Sequence, residues 1–308
     1  MVLALLSQLL ALAAPSGGAQ KIAWRGDSDA AYAQAQQEGR PLQVLFTGIE
    51  CGEKAGVGDP LNGNGAAIVG AKDFQDRCEL LEADVLSQAD VVSAAAGFVP
   101  VQGATQVAQA RISEDKESLT RRYHVATVPT LLFADPWGNE ILRLVGRIPK
   151  DAVLRVLASV PKDFAPLQAT GPQLSQDPAN AKTLVAHAAF YQKRGVLTAA
   201  DRLYELALRS PDLKADVAER RQVAIARGMT LMQMDKAADA AKLFEATLGE
   251  APDGPASDAL TFGWMMAEIH AGKVKEARSV YAELEKRFPT SPFTAKAKQN
   301  LDSVTAKR

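Results

Sequence analysis

The stretch Tyr123-His124-Val125-Ala126-Thr127-Val128-Pro129-Thr130 runs directly into Leu131-Leu132-Phe133-Ala134. The second half is a short, unbroken apolar run, the pattern of a strand buried on both faces. Asp135-Pro136-Trp137-Gly138-Asn139 follows with turn chemistry, and Glu140-Ile141-Leu142-Arg143-Leu144-Val145 is a second strand-like run. Together they predict an antiparallel hairpin. Upstream, Leu42-Gln43-Val44-Leu45-Phe46 and Phe98-Val99-Pro100-Val101 are two further strand candidates. Residues 76–96 between them are helix-like. Ser28 can cap a helix running to about Glu38, which Gly39 ends. The order over residues 21–160 is helix, strand, helix, strand, helix, strand, strand, helix.

That order, and the run from Tyr123 into Pro129 and Thr130, resembles the thioredoxin family. Gly146 followed by Pro149 at a helix start fits as well. The resemblance implies an α/β thioredoxin-like domain over residues 21–160. It also implies a cis bond before Pro129, and substrate binding in which Val128 presents its backbone to an extended chain. The family's chemistry needs two thiols spaced C-x-x-C at a helix N-terminus, where the helix dipole lowers the first thiol's pKa and the second resolves the mixed disulfide.

No such pair exists: the chain has two cysteines, Cys51 and Cys78. Two registers compete. In one, Cys51 is the attacking thiol and Lys54 stands where the resolving thiol belongs. Gly56, Gly58, Pro60, Gly63 and Gly65 then follow, which no helix tolerates. In the other, Gln75 occupies the attacking position and Cys78 the resolving one, with a proper helix running on through Leu86. Residues 48–73 become a glycine-rich insertion. Helix continuity favours this second register. Either way the ordinary dithiol cycle is interrupted. Cys51 and Cys78 could still act as catalytic thiols, form a structural staple, or stay buried and inert.

Residues 161–176, with Pro161, Pro166, Gly171 and Pro172, read as a linker. Beyond Asp177 an internal repeat appears. Ala200 with Tyr204, Ala240 with Phe244 and Ala277 with Tyr281 recur at spacings of 40 and 37 residues, each set preceded by Gly or Asp and followed by Pro. Small residues let helices approach closely and the aromatic fills the adjoining gap. The pattern resembles tetratricopeptide repeats, implying an all-α helical repeat domain over 177–308 with residues 291–305 as a final capping helix. A generic helical bundle is the alternative. If the first helix of each pair lines a concave face, Lys182, Ala189, Gln192 and Lys193 point inward. So do Ile225, Met229 and Met232, then Phe262, Met266 and His270. Methionine-rich surfaces adapt to varied partners, so this groove suits an apolar or mildly acidic protein segment.

The formal net charge of -1 removes any electrostatic case for nucleic acid. The three histidines and two cysteines are too few and too scattered for a zinc site. Gly63-Asn64-Gly65 lacks the Lys-Ser/Thr of a phosphate loop, so no cofactor is implied. The Leu/Ala run Val2–Ala14, followed by small residues to Gln20, reads as the apolar core of an export signal, although no Lys or Arg precedes it. Residues 1–20 would then be removed and the protein would be periplasmic or secreted, with no stable membrane span beyond the signal. Three roles follow: a protein-binding adaptor with impaired dithiol motif, a thiol-disulfide oxidoreductase using Cys51 and Cys78, and a structural scaffold. The missing motif and the repeats favour the adaptor.

Overall fold

A computed structural model describes residues 21–26, 28–48, 80–105 and 119–305. The first part is built from α1 (Ser28–Glu38), β1 (Leu42–Gly48), a π-helical turn (Leu81–Leu86), α2 (Ala89–Ala95), β2 (Val99–Thr105), α3 (Leu119–Arg122), β3 (Thr130–Ala134), β4 (Glu140–Val145) and α4 (Lys150–Ser159). The sheet order is β2-β1-β3-β4. β1 runs parallel to β2 and antiparallel to β3, and β3 and β4 form the expected antiparallel hairpin. Gly39 ends α1 with φ +63°, a left-handed conformation that glycine adopts at no steric cost.

Successive residues of a strand face opposite sides of the sheet, and the buried clusters divide accordingly. Leu132 and Ala134 join Leu42, Val44, Phe46, Val99 and Val101 beneath α1. Leu131 and Phe133 join Leu45 and Phe98 beneath α2 and α4. The helix expected over 76–96 is not continuous. Gln88 is extended at φ -68°, ψ 136° and separates the π-helical turn from α2. Just before it, the Ser87 hydroxyl donates to the Ala83 carbonyl, a local bond that competes with helix propagation.

The segment read as a linker is packed rather than open. It holds a 3-10 turn (Ala165–Leu167) and α5 (Gly171–Gln176). Phe164, Leu167 and Leu174 are buried in the same cluster as the sheet. Each short helix has a proline in its first two positions. There the missing N–H costs nothing and the fixed φ favours a helix start, so these prolines begin elements instead of preventing them.

The rest is helical: α6 (Ala181–Lys193), α7 (Leu197–Arg209), α8 (Pro211–Ala215), α9 (Val217–Gln233), α10 (Ala237–Glu250), α11 (Ser257–His270), α12 (Val274–Arg287) and α13 (Pro292–Thr305). α6 packs on α7, α9 on α10 and α11 on α12. α7 packs on α9, and α10 on α11, while α9, α11 and α13 also touch in turn. This is a helical repeat domain. Gly195, Asp235 and Gly272 occupy equivalent turns inside the three pairs, and all three are left-handed, at φ +75°, +59° and +77°. Ala200, Ala240 and Ala277 are fully buried. The Phe244 ring fills a notch between Gly228 of α9 and Gly263 of α11; a methyl at either glycine would collide with it.

One apolar cluster runs without interruption from Leu45 in the sheet, through Trp137, Phe164 and Leu174, to Tyr191, Tyr204 and Val223 in the helices. Arg202 of α7 also donates to the Glu140 carbonyl at the start of β4. The two parts therefore share a core.

Candidate functional site

The Val128–Pro129 bond is cis, as the resemblance implies. Pro129 is buried and Val128 half-buried at the head of β3. The Pro129 carbonyl accepts from the Gly146 N–H at 2.9 Å, and Thr130 Oγ1 donates to the Thr127 carbonyl at 2.6 Å. His124 is exposed, with φ +47°. Cys51, Cys78, Gln75 and the glycine-rich insertion lie outside the described residues. Among the described residues no group of His, Cys, Asp and Glu could hold a metal ion.

The residues named for a partner groove lie along the first helices of the repeats. On α9, Met229 is 48% exposed, and Ile225 and Met232 are half-buried. On the adjoining α11, Phe262 and Met266 are half-buried and His270 is exposed. Phe262 stacks at 5.4 Å on Phe293 of α13, extending the apolar row by one helix. On α6, Lys182, Ala189 and Lys193 are exposed, while Gln192 is half-buried and accepts from the Tyr204 hydroxyl at 3.0 Å. Arg227 points to the other helix of the neighbouring pair, where it meets Asp201 at 2.8 Å and Glu205 at 3.1 Å. Glu268 is buried, with Trp264 Nε1 3.3 Å and Lys273 Nζ 3.6 Å away. These carboxylates are engaged with neighbouring side chains, whereas Lys182 and Lys193 stand exposed at the α6 end.

At the other end of β3 from Pro129, the Asp135–Asn139 turn joins the two parts of the molecule. Asp135 is fully buried. Its carboxylate accepts from the Trp137 N–H at 2.9 Å, and from the Asn139 N–H and Asn139 Nδ2, both at 2.8 Å. Sequence alone marks Asp135 as a turn residue and gives no sign of its burial. Burial pushes its pKa from 3.8 up to about 6 against those donors. His187, on α6, is also fully buried. Its Nε2 lies 3.1 Å from Thr170 Oγ1, and among the described residues Nδ1 has no partner. Burial lowers its pKa from 6.5 to about 4.

These two groups oppose each other. As pH falls from 6.5 to 4 the unfolded chain takes up a proton that folded His187 refuses, so stability is lost. Over nearly the same range folded Asp135 holds a proton that the unfolded carboxyl releases near pH 3.8, so stability is gained on acidification and lost as pH rises through 6. Each contribution amounts to about 3 kcal/mol at most. These two contributions largely cancel from pH 6.5 to pH 4, and denaturant midpoints of the variants are read against the wild type over that range. Those of His187→Gln should rise with acid, and those of Asp135→Asn should fall. Parallel profiles for all three proteins would refute this assignment.

Residues 61–161 match the family model of a thioredoxin-like domain. The matched segment includes Cys78 and begins after Cys51. No curated protein matches the chain. The sheet, the helices on its two faces and this match establish a thioredoxin-like domain followed by a helical repeat domain.

Proposed function

We propose that this thioredoxin-fold protein is an exported adaptor that holds an apolar segment of a partner protein on helical repeats of the tetratricopeptide kind. In this reading the dithiol motif is degenerate and redox turnover is not the activity. The observation that carries it is the row of half-exposed apolar side chains, Ile225, Met229, Met232, Phe262 and Met266, on adjoining first helices. A surface of flexible thioethers and aromatic rings adapts to apolar side chains of different shapes. Lys182 and Lys193 at its α6 end favour a segment that carries an acidic residue beyond its apolar anchors. Export rests on the Leu/Ala run before Gln20. Among the described residues no helix is long and apolar enough to cross a membrane.

The test replaces side chains on the row and reads binding and stability separately. Met229→Glu changes the most exposed member, so its melting temperature should stay within a few degrees of wild type. Affinity for a fluorescent peptide with three apolar residues and one flanking Asp should fall by roughly tenfold, the loss of one well-placed anchor. Met229→Glu combined with Phe262→Gln should abolish binding. Unchanged affinity in the double variant would end the groove reading. A loss of about 2–5 kcal/mol from Met229→Glu alone would mark Met229 as core.

A further inference from the structure

A cleft of about 720 Å³ opens where α1, α3, the Asp135–Asn139 turn and α5 meet. The α/β domain and the connecting segment build it: Ser28, Tyr32, Leu119 and Arg122 come from the former, Pro172 and Ser175 from the latter. The volume lies in the range of small-molecule sites. Within it Arg122 is held in place before any ligand arrives. Its guanidinium carbon sits 4.9 Å from the centre of the Tyr32 ring and 5.8 Å from that of Tyr123. Nη2 donates to the Trp137 carbonyl at 3.0 Å. Gly138, at φ +82°, makes the space; a methyl there would collide with both Arg122 and the Tyr32 ring.

The two phenols beneath the guanidinium are already engaged. The Tyr32 and Tyr123 hydroxyls bond each other, and Tyr123 donates to the Gly138 carbonyl at 3.0 Å. Arg122 nonetheless remains exposed, and among the described residues no carboxylate is paired with it. Asp29, on the same wall, has an interaction of its own. A fixed guanidinium with free N–H groups is a receptor for a planar anion, because its fork matches two oxygens at once.

We propose that this cleft binds a carboxylate attached to an apolar body, with Arg122 taking the carboxylate. Among the described residues the lining holds no second cation, so a single negative charge fits it better than a doubly charged phosphate. Leu119 and Pro172 supply apolar wall for the rest of the ligand. The carboxylate can come from a free small acid or from the C-terminus of a peptide. Occupancy would bridge the α/β domain and the connecting segment, since both contribute to the walls.

The experiment is calorimetric titration of the full chain with N-acetyl-L-phenylalanine, its amide, and inorganic phosphate. The acid should bind saturably and at least tenfold more tightly than the amide, and phosphate should not displace it. Arg122→Gln should weaken the acid at least tenfold. Arg122→Lys keeps the charge but loses the fork, and should weaken it by a smaller factor; that variant decides the matter if Arg122→Gln does not fold. An N-acetylated tripeptide acid binding more tightly than N-acetyl-L-phenylalanine assigns the site to a peptide terminus, and equal binding to a small acid. Equal affinity for acid and amide, displacement by phosphate, absence of saturable binding at millimolar acid, or wild-type affinity in Arg122→Lys would overturn the proposal.

Discussion

Trp137→Ala should cost about 3–5 kcal/mol and loosen the two parts of the molecule from each other. Trp137 is 6% exposed although it sits in a hairpin turn. Its ring lies 6.5 Å from Phe164, edge to face, and Phe164 in turn lies 5.6 Å from Phe190 of α6. Gly171 packs flat against it, so closely that a methyl there would enter the indole. The Trp137 carbonyl accepts from Arg122 and, at 3.2 Å, from Ser175. Those backbone bonds survive the substitution, so the loss reports the indole alone. Denaturant unfolding followed by two probes gives the result. Wild type should show one transition for sheet and helices, because they share a core, and the variant should show two. A single transition with a loss under about 1 kcal/mol would mean that the connecting segment holds without the indole.

The second large effect is expected at Arg221, a charged residue only 2% exposed. Its guanidinium donates to Pro255 O at 2.6 Å, to Ser257 Oγ at 2.9 Å and to Ala251 O. It thereby ties down the turn between α10 and α11, in which Ala256 is left-handed at φ +57°. Ser257 continues the network by donating to Pro252 O at 2.6 Å and Gly254 O at 2.7 Å. Arg221→Met keeps the aliphatic stem and leaves the acceptors without their donor. Bonds from a charged donor contribute about 1.5–3 kcal/mol each, partly offset by relief of the buried charge, so a net loss of roughly 3 kcal/mol is expected. Hydrogen exchange should show the loss concentrated at residues 251–257. A uniform change along the chain, or none, would contradict this role.

Much of the α/β domain was legible because its signals are local. Thr130–Ala134 and Glu140–Val145 were bounded by a turn whose residues allow nothing else, and both strands fall where expected. The repeat was legible through spacing, since Ala200, Ala240 and Ala277 each need an aromatic four residues on. Other features depend on where distant segments meet. The prolines of 161–176 read as a linker, and the burial of Phe164, Leu167 and Leu174 depends on residues far along the chain. Gln43 sits in an apolar strand run and is fully buried, with neither amide atom paired among the described residues, which no strand pattern discloses. Arg221 resembles any helix-surface arginine until the 251–257 turn closes over it. Arg122 carries no sequence signal of its position over the Tyr32 ring, which depends on the space left by Gly138 at positive φ. The candidate groove was readable as a stripe of apolar residues at helical spacing, and the half-exposure of that stripe required the stacking of α9 on α11.

The proposed role holds a partner protein on the first-helix face of the repeats. Site-specific photocrosslinking measures it directly. A photoreactive side chain at Met229, on that face, is compared with one at Leu206, 42% exposed on the second helix of the first pair. In cells of the native host, position 229 should crosslink one defined protein through an apolar segment, and position 206 should not. Equal crosslinking from both positions, or capture from 206 alone, would contradict the account.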